Sequence, residues 1–117
     1  MTALPLTGPK RRAASISSWL RQLESGEVLG LFPEGLVGRS DALRRPDPGF
    51  ERLSRILASR NVAVLPVAVF EEGGCLHVRF GPSFPASSSI ETMQAIARLL
   101  PPSLRGPYGD VVHGTVE

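Results

Sequence analysis

Five consecutive apolar residues, Val28-Leu29-Gly30-Leu31-Phe32, are closed by Pro33. A run this short, without alternation, reads as a strand covered on both faces, the kind found in parallel sheets. Such a strand needs helices above and below it and neighbours along its edges. The flanking sequence offers the helices. Ile16, Trp19, Leu20 and Leu23 recur at i, i+3, i+4 and i+7, one apolar stripe on a helix of about four turns. Gly26 is its stop. After the strand, residues 33–48 carry Gly35, Gly38, Pro46 and Pro48 and few apolar residues, which predicts a long loop. Asp47-Pro48 then reads as N-cap and first helical residue, and Phe50, Leu53, Ile56 and Leu57 form the stripe of a second helix ending near Asn61.

A second apolar run covers Val62 to Phe70 and is interrupted by Pro66, which implies an edge position or a bulge. Glu71-Glu72-Gly73-Gly74 predicts a hairpin turn, from which Cys75 to Phe80 pairs back. That segment alternates, with Leu76, Val78 and Phe80 on one face and His77 and Arg79 on the other. Ser88 and Glu91 make a capping box for a third helix with the stripe Ile90, Met93, Ile96, Ala97 and Leu100, stopped by Pro101-Pro102. Residues 103–117 have weak patterning and read as a loosely structured tail. Strand, helix, strand in this order predicts an α/β class: a βαβ unit plus a hairpin strand, with flanking helices. Three strands of this apolar character form an underfilled sheet, so exposed edges and self-association are expected.

The 117 residues suffice for one domain with a modest core. With 42% hydrophobic and 21% charged residues the composition is that of a globular chain, not a disordered one. The single cysteine, Cys75, excludes an internal disulfide and reads as a small packing residue. No apolar run approaches the ~20 residues of a membrane-spanning helix, and no secretory leader is visible. Charge is uneven. Residues 1–60 hold ten Lys or Arg against six acids, and residues 61–117 hold three against five. The basic first half suits an anionic partner (a phosphate ester, an anionic lipid surface or a nucleic acid) or is a solvated arginine-rich surface. Phe and Trp sit on core stripes and do not alternate with the arginines, which argues against nucleic acid.

Ligands of open α/β sheets bind beyond the carboxyl ends of the strands. Glu34 and Gly35 stand at such an end, ahead of a loop bearing Arg39, Arg44 and Arg45. Gly35 has access to turn angles closed to other residues and can turn backbone N–H groups toward an anion. Glu34 has three open roles: accepting from a ligand hydroxyl, holding an arginine, or standing solvated in a turn.

Leu31-Phe32-Pro33-Glu34-Gly35 resembles the third conserved block of the 1-acylglycerol-3-phosphate acyltransferase family, in which F-P-E-G follows an amphipathic helix, a Gly-containing turn and an apolar strand. Glu24-Ser25-Gly26-Glu27 stands where that turn belongs, and Val64-Leu65-Pro66-Val67-Ala68 is similar to the second half of the fourth block, V-P-[IV]-x-P-V. The likeness runs from about Ser15 to Phe84. It implies a glycerolipid acyltransferase-type domain that moves an acyl chain from an acyl-CoA or acyl carrier protein thioester to a lysophosphatidic-acid-type acceptor, in phospholipid biosynthesis. No other cofactor is implied, and the expected location is cytoplasmic, peripheral at the inner face of a membrane. By the resemblance, Glu34 and Gly35 seat the acceptor and its phosphate, Arg39 joins them from the basic loop, and Pro66 shapes an apolar pocket wall.

Two departures qualify it. Leu36-Val37-Gly38 intervene before Arg39-Ser40, where the family continues with Thr and then Arg and Ser. The family's first block, H-x4-D, in which His is the general base and Asp orients it, has no counterpart. His77 is followed five positions later by Pro82, and His113 is followed only by Gly114, Thr115, Val116 and Glu117, without an Asp. Lys10, Arg11 and Arg12 are near the expected second block but out of register. The expectation is an N-terminally truncated domain, Met1 being an internal start, that is inactive alone. The alternative is a binding module for an anionic lipid or phosphate, without chemistry.

Overall fold

The structure, a computed structural model, describes residues 2–4, 9–34 and 42–109. Helices and short strands are mixed, in keeping with an α/β class. The order is β1 (Thr2–Leu4), α1 (Pro9–Glu24), β2 (Leu29–Leu31), α2 (Pro48–Ser59), β3 (Ala63–Val64), β4 (Val67–Glu72), β5 (Cys75–Phe80), β6 (Phe84–Pro85) and α3 (Ser89–Leu99), then two 3-10 turns at Pro102–Leu104 and Gly106–Tyr108.

Helix ends follow the local chemistry. Asp47 caps α2 by accepting from the Gly49 N–H at 2.8 Å, with Pro48 beside it. Ser88 caps α3 by accepting from the Glu91 N–H at 3.2 Å, and the Glu91 carboxylate accepts in turn from the Ser87 hydroxyl. Gly26 leaves α1 at φ +90°, and Asn61 follows α2 at φ +56°. At the β4–β5 turn Gly73 and Gly74 take φ +62° and +78°, the paired positive angles of the tight hairpin that keeps strand twist.

The pairing differs from the expected βαβ unit. β2 does not join β3 across α2. It pairs in parallel with β1, register Ala3 to Gly30, so the βαβ unit is β1–α1–β2. β1 is three residues long, too short for periodicity to reveal it. The second apolar run is divided at Pro66. β3 pairs antiparallel with β6, Ala63 to Pro85, and β4 pairs antiparallel with β5, Val69 to Val78. The proline lacks an N–H for a continuous ladder, which accounts for the break.

Burial also departs from expectation. β2 is half-buried, and Val28 and Phe32 at its ends are exposed. Ile90 of the α3 stripe and Cys75 are exposed too, so Cys75 does not pack. Two apolar clusters carry the fold. Trp19, Phe50, Leu53 and Leu57 join α1 to α2, with Leu29 and Leu31 of β2 against them. Ala68, Phe70, Met93, Ala97 and Leu100 join β4 to α3, and Leu43 and Tyr108 complete that second cluster. The described part of the tail, residues 103–109, holds regular turns that its sequence pattern did not suggest. Its two 3-10 turns bury Tyr108, and Arg105 Nε donates to the carbonyls of Ala97 and Leu100, both at 3.0 Å, closing the end of α3. Residues 110–117 lie outside the described residues.

Candidate functional site

Glu34 follows β2 by three residues, in a turn begun by Pro33. Its Oε2 accepts from the backbone N–H of Arg44 at 2.8 Å. The Pro33 carbonyl accepts from the Asp47 N–H, also at 2.8 Å. These two bonds fasten the returning limb of the loop, residues 42–47, to the end of the strand. A carboxylate accepting from an N–H in a half-buried site makes one of the stronger hydrogen bonds, contributing about 1.5–3 kcal/mol. Glu34 is therefore not a solvated turn residue, since its charge is spent on backbone ten positions ahead. Gly35 and Arg39, assigned to the site by resemblance, lie outside the described residues.

The loop is gripped from the other side by the tail. The Leu43 N–H donates to the Leu104 carbonyl at 2.8 Å. Gly106, at φ +57°, lies so close to Leu43 that a Cβ there would stand 1.9 Å from the Leu43 carbonyl oxygen. Tyr108, 8% exposed, packs beside Leu43. Burial pushes its phenol above the ordinary 10.0, Arg45 works against that, and the Glu34 and Glu51 carboxylates add to it. A folded-state pKa raised above the unfolded value leaves stability intact below pH 10.0 and removes it as pH rises beyond. Glu34, the 42–47 limb and the tail thus form one unit, with Arg45 exposed on it and Arg44 half-buried.

Pro66 belongs to a different surface. It is buried, its carbonyl accepts from the Gly81 N–H at 3.0 Å, and its Cγ would be 3.0 Å from a Cβ on Gly81. With Gly81, Phe84 and Leu99 it lines an open groove of about 470 Å³, whose polar members include Glu91 and Arg98. The described histidine, His77, stacks on Phe70 with ring centroids 5.1 Å apart and planes 7° from parallel. Its Nε2 is 3.3 Å from the Glu72 carbonyl. Among the described residues no three His, Cys, Asp or Glu side chains gather as metal ligands would. No described helix is long and apolar enough to cross a membrane.

Sequence reasoning singled out Glu34 but missed its partner, a backbone N–H, and missed Leu104, Gly106 and Tyr108. The available signal was Gly106-Pro107 ahead of an aromatic, a turn dipeptide followed by a residue with much area to bury.

The Glu34 bond has a direct consequence. Glu34→Gln keeps an acceptor but loses the charge, and is expected to cost about 1 kcal/mol. Glu34→Ala leaves the Arg44 N–H unpaired and is expected to cost about 2 kcal/mol, near the upper end for one lost partner. Thermal unfolding of the three proteins should rank them wild type, Gln, Ala. Equal melting temperatures would return Glu34 to the solvent.

Comparison with protein-family models, with curated proteins and with solved structures gives no match to this chain.

Proposed function

We propose that this chain is the acceptor-holding part of a glycerophospholipid acyltransferase-type domain. It seats the phosphate headgroup of a lysophosphatidic-acid-type acceptor beside an acyl-CoA or acyl carrier protein donor, at a membrane surface facing the cytoplasm. The observation that carries the reading is the Glu34–Arg44 bond. It turns the F-P-E segment and an arginine-bearing limb into one unit at the carboxyl end of a strand, where α/β ligands are bound. Guanidinium groups suit phosphate because their donors match two of its oxygens at once. Gly35 and Arg39 join the site through the resemblance. Pro66 supports it less directly, as part of a separate groove wall.

A second reading, a phosphate or anionic-lipid binding module without chemistry, is favoured by the sequence itself, which holds no H-x4-D. Both readings require the same headgroup recognition. A short-chain lysophosphatidic acid, used below its micellar concentration, should bind, and the monoacylglycerol of equal chain length should not. Binding should weaken as salt rises, because an exposed guanidinium is screened, and Arg45→Ala should weaken it severalfold. Equal binding of the two lipids would defeat both readings.

A further inference from the structure

The β4–β5 hairpin turns its more apolar face outward. Val67 lies opposite Phe80, Val69 opposite Val78 and Glu71 opposite Leu76, so these six side chains share one face. Its apolar members are 37% (Val67), 58% (Val69), 71% (Leu76), 50% (Val78) and 65% (Phe80) exposed. The alternate residues face α3. Ala68 and Phe70 are 2% and 6% exposed, with His77 stacked on Phe70 and Arg79 lying over the same ring while donating to the Leu99 carbonyl. The inner face is thus built around one aromatic ring with an imidazole and a guanidinium against it, while five apolar side chains are left in water.

We propose that this outer face is a dimer interface, on which a second copy of the chain packs its own outer face about a twofold axis lying across the strands. Three features of the face select that occupant. The first is area. The five side chains leave roughly 500 Å² of apolar surface open, more than single scattered residues would. Two copies remove roughly 1,000 Å², the lower limit for a stable specific pair, and only when each uses its whole face. A self-complementary face meeting itself satisfies that condition. The second is charge. The face carries no Lys or Arg, and its one charged residue, Glu71, sits at the turn end next to Glu72. An anionic bilayer would be repelled there, whereas basic residues are what surface-lying segments use. The third is the direction of the axis. With the axis across the strands, the acidic turn of one copy lies over the Phe80 end of the other. With the axis along the strands the two acidic turns would coincide. Two sheets meeting in this way pack nearly aligned, the ordinary sandwich geometry.

Sedimentation equilibrium of the full chain tests this. The 12.5 kDa species should give way to one of twice that mass as concentration rises, with a midpoint on the order of micromolar for so small an interface. Val78→Lys places a charge at the centre of the face and should weaken association at least about tenfold, while as a monomer it stays soluble and folded. Val69→Thr keeps the β-branched shape, guards against a folding defect in the lysine variant, and should weaken association severalfold. Ile90→Lys, on exposed α3 surface away from the face, should leave association unchanged. A monomer at every concentration overturns the proposal. So does association that survives both face variants or falls equally with Ile90→Lys. Binding to phosphatidylglycerol vesicles that Val78→Lys abolishes, with the free chain monomeric, would assign the face to lipid instead.

Discussion

Among Gly26, Gly73, Gly74, Gly81, Gly106 and Gly109, Gly106 is expected to be the position where an added methyl group does most damage. Gly106 takes φ +57°, which costs an alanine roughly 1 kcal/mol on its own. The added Cβ would also fall 1.9 Å from the Leu43 carbonyl oxygen, and that neighbour is backbone, not a side chain that can swing away. The chain must shift, and the shift opens the Leu43 to Leu104 hydrogen bond and draws Tyr108 from its cluster. A loss of about 3 kcal/mol or more follows, several times the usual cost of a surface change. In a chain of this size that lowers the melting temperature by ~10 °C or more. Gly109→Ala is the control. It lies three residues on, at φ −60°, and its Cβ would meet nothing within 4 Å. It should unfold at or slightly above the wild-type temperature. Equal effects of the two substitutions would mean that the tail does not grip the loop.

The second large effect is an absence of turnover. Attack of an acceptor hydroxyl on a thioester needs a base to take its proton, and losing one costs about 10²–10⁴-fold. Glu34 is engaged with the Arg44 N–H. His77 is stacked flat on Phe70, with Nε2 directed to the Glu72 carbonyl of its own hairpin. Neither is arranged as a base held by a carboxylate. Incubation of the purified chain with palmitoyl-CoA and lysophosphatidic acid should release coenzyme A no faster than a blank. Turnover above the blank that His77→Ala abolishes would show that the histidine works from a place the sequence did not suggest.

Features written in adjacent residues were legible in the sequence. Asp47-Pro48 opened α2 and Ser88 with Glu91 opened α3, because a cap is a contact within one turn. Gly73-Gly74 placed the hairpin for the same reason. Pro66 announced a break, although not that the halves would join different partners. Which face of β5 would be covered was not legible. Alternation gives two faces, and what decides between them is α3, which covers Phe70 and leaves Val69 and Val78 outside. The same limit held at the site. Glu34 stood out by its position after an apolar strand, but a carboxylate bonded to a main-chain N–H leaves no side-chain pattern. Tyr108, seventy-four positions beyond Glu34, meets the loop only through the folded tail.

Whether the unit held by Glu34 recognises a phosphate headgroup can be read residue by residue from amide chemical shifts. Titration of the isotope-labelled chain with short-chain lysophosphatidic acid should move the amides of Glu34, Arg44 and Arg45, and the monoacylglycerol of equal length should leave them in place. In Glu34→Ala, still folded, the same titration should need severalfold more ligand. Shifts that both lipids produce alike, or that gather along the Pro66–Leu99 groove while Arg44 and Arg45 stay still, would contradict the assignment of this loop as the acceptor site.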